Sequence, residues 1–418
     1  MRNINDGMKN KIIKSIAAVL AAVLLMVFGG AALAAGTSNA ADPIYAVADQ
    51  FSDRDMEQEA NTDEAVILTV KSGEDTLITA AGVYVISGEA ENAVIRVEAG
   101  KDDKVQLVLD GVSITNTNQP CIYVVSADKV FVTLAGENNL SVTGSFVSDG
   151  SSNPDAVIFS KQDLVLNGTG SASLSSTDNG VAGKDDLKIT GGTWTIQAKS
   201  KAVEANDSIR IAGGTLALTA GTDGLHAEND DDDEKGYIFI SGGELNITAG
   251  DDAVHAVTVF QMDGGSLTAS GAEGIEATVI QINGGTISIH ASDDGINAGQ
   301  KSNAYTPAII FNGGETTVAV GAGDTDGVDS NGDIIINGGT VSVTGNSAFD
   351  YDGTAAYNGG TIIVNGQQVN SIPNQMMGGG RGGWGNQGGF GNQGGWGNQG
   401  NQGGWGNSGG GRGGRGGW

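Results

Sequence analysis

The sequence predicts an all-β fold and, within that class, a right-handed single-stranded parallel β-helix. Three observations lead there: short apolar runs alternate with period two, a Gly-Gly turn recurs every twenty-odd residues, and no amphipathic helical spacing follows the N-terminal segment. The runs AVILTV, VYVIS, AVIRVEA, KVQLVLD, CIYVV and KVFVTLA begin near Glu64 and are broken by Gly, Asn and Asp. Gly-Gly pairs open at Gly191, Gly213, Gly242, Gly264, Gly284, Gly313, Gly338 and Gly359, in steps of 22, 29, 22, 20, 29, 25 and 21 residues. A coil of about 21–22 residues holds three short strands, as KAVEAN, SIRIAG and TLALTA do between Lys201 and Ala220. A propeller blade needs four strands and a longer repeat, and a leucine-rich repeat needs its Leu/Asn framework. Neither pattern is present.

The elements follow in chain order. Arg2, Lys9, Lys11 and Lys14 precede the apolar run Ser15–Phe28, and Ala32-Leu33-Ala34 has the small-x-small form of a cleavage site. Residues 1–34 therefore read as a signal peptide, with an uncleaved membrane anchor as the alternative. A secreted or extracellular protein is expected, with association at the cell surface left open. Residues 35–63 read as a polar, flexible linker and 64–372 as the β-helix. The tail, 373–418, is a Gly/Asn/Gln/Trp-rich low-complexity segment. The 418 residues include 70 Gly and only 5 Pro without a G-X-Y period, which excludes collagen. A net charge of −28 argues against nucleic acid and toward cations or plain solubility. Cys121 is the single cysteine, so no disulfide forms within the chain, and it is expected to pack as a small apolar side chain. A monomer is expected.

Within the repeats lies a series of related hexamers: TDGLHA, DDAVHA, AEGIEA, DDGINA, TDGVDS. Aligning them puts Val203, Leu225, Val254, Ile275, Ile296, Val328 and Phe349 in one inward stack. The residue after each aliphatic then projects outward: Ala182, Glu204, His226, His255, Glu276, Asn297, Asp329, Asp350. The residue two before it runs Asn179, Lys201, Asp223, Asp252, Glu273, Asp294, Asp326, Ser347. The Gly or Ala between the two columns is expected to leave an open trough. Coils stack about 4.8 Å apart, where two carboxylates repel by roughly 3 kcal/mol at an effective dielectric near 20. A divalent cation converts that repulsion into coordination, because Ca²⁺ takes six to eight oxygen ligands. The expected ligands are Asp223, Asp251, Asp252, Glu273, Glu276, Asp293, Asp294, Asp326, Asp329 and Asp350. Turn preference of Asp and simple solubility are the alternative. Two longer repeats carry the insertions NDDDDEKG (Asn229–Gly236) and GQKSNAYTP (Gly299–Pro307).

Tyr123 and Phe159 occupy the outward position in earlier coils and are candidates to stack on sugar rings, against core or edge packing. His226, His255 and Asn297 are candidates for polar sugar contacts; two His without Cys support make a thin case for a softer metal. Lyase chemistry needs a base beside a cation-bound uronate, and Arg210, Lys235 and Lys301 are expected off the ladder. A repeating acid array also offers no unique pair with carboxyl pKa values pushed apart, as a glycosidase requires. Repetition instead favours binding, since a polymer rewards many equal sites.

The stretches KVQLVLDGVSITNTNQPCIYVVSADKVFVTLAGENNL (Lys104–Leu140), NPDAVIFSKQDLVLNGTGS (Asn153–Ser171) and KDDLKITGGTWTI (Lys184–Ile196) resemble the secreted carbohydrate-binding β-helix proteins of plant-biomass-degrading bacteria. The resemblance covers about residues 64–366. It implies a right-handed, polysaccharide-lyase-like β-helix with calcium sites that binds cellulose or acidic pectin without established catalysis. Lys201 and Ser347 depart from the acidic pattern. The expectation is calcium-dependent, non-catalytic polysaccharide binding; a polysaccharide lyase and a structural or adhesive surface protein are the alternatives.

Overall fold

The computed structural model describes residues 41–374, except positions 151 and 324. The apolar N-terminal segment and the Gly/Trp-rich tail lie outside the described residues. Apart from two short 3-10 turns, Val47–Asp49 and Asp53–Met56, the regular structure is strand, joined in one large and mainly parallel sheet. Strands pair with the one about three further along the chain, which sorts them into three rows.

The first row includes Asn179–Gly183, Val203–Ala205, Leu225–Ala227, the opening part of Asp252–Met262 and of Glu273–Ile282, then Ile296–Ala298, Asp326–Ser330 and Ser347–Tyr351. The second row includes Asp163–Gly168, Asp186–Ile189, Ser208–Ile211 and Tyr237–Ile240. The third includes Thr193–Ala198, Thr215–Ala220, Glu244–Thr248 and Ser266–Gly271. Inward side chains of all three rows meet in one continuous apolar core. The expected inward stack is present in register: Val203, Leu225, Val254, Ile275, Ile296, Val328 and Phe349 pair successively and are fully buried. Cys121 is buried with them, and burial pushes its thiol up to about 12.

The Gly-Gly marker has a physical cause. The second glycine of each pair adopts φ between 76° and 97°, from Gly192 through Gly360, a region costly for other residues. The first lies against the preceding repeat; a Cβ on Gly213 would sit 2.7 Å from the Thr190 carbonyl oxygen. Just before these turns, Asn312, Asn337 and Asn358 each donate through Nδ2 to the Asn Oδ1 one repeat earlier, at 2.7–2.8 Å.

Two features depart from expectation. Part of the stretch read as a flexible linker, residues 41–58, is instead a strap against the outer face of the second row. Asp55 is fully buried there, with Lys188 Nζ at 2.9 Å and Lys129 Nζ at 3.4 Å. Burial opposes its charge, yet these lysines and the Ser52 backbone hold its carboxyl down at about 2. Gln58 donates to the Thr190 carbonyl, Tyr45 stacks on Tyr237 at 4.3 Å, and Tyr45 exchanges two hydrogen bonds with the Gln261 amide. Polar composition misled because the strap's partners are polar side chains far away in sequence. The last pairing is also antiparallel: Thr361–Val364 folds back on Gln367–Val369 through Asn365-Gly366, both at positive φ.

Candidate functional site

The outward column of the first row has the register read from the hexamers: Ala182, Glu204, His226, His255, Glu276, Asn297, Asp329 and Asp350 are successive partners. The neighbouring column does structural work as well. Asn179 Oδ1 accepts the Lys201 N–H at 3.0 Å, Asp223 Oδ1 the Asp252 N–H at 3.3 Å, and Asp294 Oδ1 the Asp326 N–H at 2.7 Å. A short side chain with an oxygen acceptor is therefore favoured at this bend irrespective of any ligand.

The small residue between the columns has a different cause from the one expected. It faces the core, not a trough: a Cβ on Gly180, Gly224 or Gly274 would run into Ile196, Ile247 or Ile289 of the third row. The same holds for Gly295 against Val318 and Gly327 against Val343.

Along the column the charge balance changes in three steps. At the first, Glu204 meets Lys201 at 2.9 Å and Lys184 at 3.9 Å; burial resists its charge, but the lysines hold its carboxyl low. At the second, two histidines and a lysine enter. His226 Nδ1 lies 2.8 Å from Asp223 Oδ2, and His226 Nε2 lies 3.0 Å from Glu228 Oε2. His255 Nδ1 lies 2.8 Å from Asp252 Oδ2 and 2.9 Å from Glu276 Oε2, and the two imidazoles stack at 4.7 Å. Burial works against the His255 cation, but Asp252 and Glu276 raise it to about 9. Burial also works against the Glu276 anion, but His255 and Lys301 hold it down at about 2. At the third step bases run out: Ser302 to Asn374 contain no Lys, Arg or His. Burial, then Asp294, Asp326, Asp350 and Asp352, push the Asp329 carboxyl up to about 7. Asp350 Oδ1 is buried without a hydrogen-bond partner.

The middle step borders a cleft of about 620 Å³, lined by acids including Asp230, Asp233, Asp251 and Glu273. The two insertions form its wall and touch each other, Ser302 Oγ donating to the Asp233 carbonyl at 2.6 Å. Two expectations change here. Lys301 does reach the ladder, with Nζ 2.5 Å from Glu276 Oε1. A differentiated acid pair also exists: burial, then Glu276 and Asp252, raise the Glu273 carboxyl to about 8 while Glu276 stays low. Hexamer alignment hid both, because the insertion that supplies Lys301 interrupts the repeat.

The remaining candidates divide. Asp251 and Asp293 stand exposed at the bends, while Asp252 and Asp294 lie deeper. Asn297 donates to Glu273 Oε2 at 3.1 Å. Tyr123 and Phe159 project outward but are covered, at 0% and 2% exposure, and pack edge to face at 5.6 Å. The Tyr123 hydroxyl bonds Asp149 at 2.8 Å and also meets Ser152, while Arg96 and Lys161 lie over its ring. They form a second small core beneath a loop, not a sugar platform.

An oxygen-rich column and an acid-lined cleft on a parallel sheet suit cations and polyhydroxyl chains. The sequence matches the family described as carbohydrate-binding domain-containing protein over residues 72–327, more than half of the chain. The chain belongs to this family. A carbohydrate-binding domain-containing protein of Acetivibrio thermocellus is 39% identical over 143 residues, 33% of this chain and 50% of that protein. The chain thus spans about half the length of this relative. A solved structure, the polysaccharide lyase-like protein from C. thermocellum in a gadolinium derivative, is similar at 25% identity. Its TM-score is 0.40, and the likeness covers 70% of this chain and 98% of that one.

Proposed function

We propose that this protein binds polysaccharide along the outer face of the first row, with calcium held at the acid-only end of the column. The observation carrying this reading is Asp329, set among Asp294, Asp326, Asp350 and Asp352 within a stretch, residues 302–374, that supplies no base. Carboxylate and amide oxygens form the donor set there, and the buried, unsatisfied Asp350 Oδ1 adds a reason for an electrophile. Such a set suits the hard Ca²⁺ ion. Asp252 and Glu276 suit it poorly, since the donor converging on them, His255 Nδ1, is a nitrogen and Lys301 already occupies one Glu276 oxygen. Calcium bridging lets an anionic chain approach: free coordination positions accept uronate or hydroxyl oxygens, where bare carboxylates would repel them.

The parallel rows support a right-handed β-helix, and the basic, then apolar N-terminus supports secretion. Cellulose and acidic pectin are the proposed polymers. Retention on insoluble cellulose and on pectate gels, with calcium or with chelator, tests the reading. Binding to pectate that chelator abolishes is expected; binding to neither polymer contradicts it.

Cleavage is a second reading, favoured by Lys301 beside the Glu273–Glu276 pair in the cleft. A lyase would release unsaturated products from polygalacturonate, read as rising ultraviolet absorbance. No rise over long incubation removes that reading.

A further inference from the structure

We propose that Asp252, His255 and Glu276 form a site for a divalent transition metal of zinc type, distinct from the oxygen-only calcium position. One donor atom from each of the three lies within 4.8 Å of the others. His255 Nδ1 sits 2.8 Å from Asp252 Oδ2 and 2.9 Å from Glu276 Oε2. A ring nitrogen carries at most one proton, so the two carboxylates converging on it exceed what it can donate. An ion seated between them engages all three atoms, at about 2.0–2.2 Å for zinc with imidazole and carboxylate ligands, and any proton on Nδ1 leaves to solvent.

A second observation points to the same place. His226, only 7% exposed, faces this cleft and stacks on His255 with 12° between the rings. Its Nδ1 approaches Asp223 Oδ2 at 2.8 Å without the alignment of a hydrogen bond. The Asp-x-x-His spacing thus recurs in two successive repeats, Asp223/His226 and Asp252/His255, so the neighbouring rung holds a further nitrogen donor. Glu276 is also prepared: Lys301 occupies Oε1 and leaves Oε2 toward His255. An imidazole donor favours borderline ions such as Zn²⁺ over Ca²⁺. The inference does not depend on the calcium reading.

The full chain, stripped with chelator and returned to buffer holding millimolar calcium, is titrated with zinc by calorimetry and with cobalt(II) by visible absorption. Zinc uptake that calcium does not abolish, with cobalt d–d bands, is expected. His255→Gln and Glu276→Gln are each expected to weaken zinc binding at least about 10-fold, while Asp329→Asn leaves it unchanged. Melting curves establish that each variant is folded, and Asp252→Asn makes the same comparison if one is not. No zinc uptake by the parent overturns the assignment. Equal uptake by parent and folded ligand variants, or displacement of zinc by equimolar calcium, does the same. Calcium uptake measured separately on Asp329→Asn distinguishes this failure from failure of the calcium reading.

Discussion

Glu273 and Asp329 are acids that the fold strains in the same direction. Their carboxyls rise to about 8 and about 7, because burial and neighbouring carboxylates both oppose the anion. A raised carboxyl holds a proton in the folded state that the unfolded chain has already released. Stability from these groups is therefore highest below about pH 4 and falls as pH climbs through 7 and 8. In chelator, the melting temperature should decline from pH 5 to pH 8. Glu273→Gln and Asp329→Asn should each flatten that decline, and added calcium should flatten it for the Asp329 part. Thermal unfolding across this pH range checks both; a decline unchanged in either variant would remove the cited cause. Tyr123 makes the opposite point, as an aromatic ring that looks available in sequence and is sealed in structure. Tyr123→Ala should cost about 3 kcal/mol of stability and leave polysaccharide affinity unchanged, read by denaturant unfolding and polymer retention.

Strands of the first row show how far pattern reading reaches. Period-two alternation gave the inward stack and the outward column in correct register, because a one-residue slip would put charges in the core. The glycine column was recognised but its cause was not, since the side chains it avoids belong to third-row strands elsewhere in the repeat. Gly295→Ala should destabilise by about 1–3 kcal/mol through overpacking against Val318, whereas solvent-facing glycine would tolerate alanine. The strap was unreadable for a related reason: Asp55 becomes intelligible only beside Lys188, and their pairing spans the second row. Lys188→Ala should cost about 3 kcal/mol by leaving Asp55 buried and less well paired. Urea unfolding measures it, and a loss under about 0.5 kcal/mol, typical of a surface site, would show that the strap contributes little.

Stacking such repeats converts a weak local preference into a long column of like side chains, and the chain varies its neutralisation rung by rung. Lysine serves Glu204, histidine and lysine serve Glu276, and beyond Lys301 the described chain supplies no base at all. The acids themselves were legible from the hexamers; this gradient was not, because Lys301 enters from an insertion outside the repeat. A cation completing the last rungs is the idea on which the binding account turns. Calcium titration by calorimetry, comparing the parent with Asp329→Asn/Asp350→Asn in zinc-free buffer, tests it most directly. The account predicts saturable uptake by the parent and at least a tenfold loss of affinity in the double variant. Equal uptake by both proteins, or none by the parent, would contradict it.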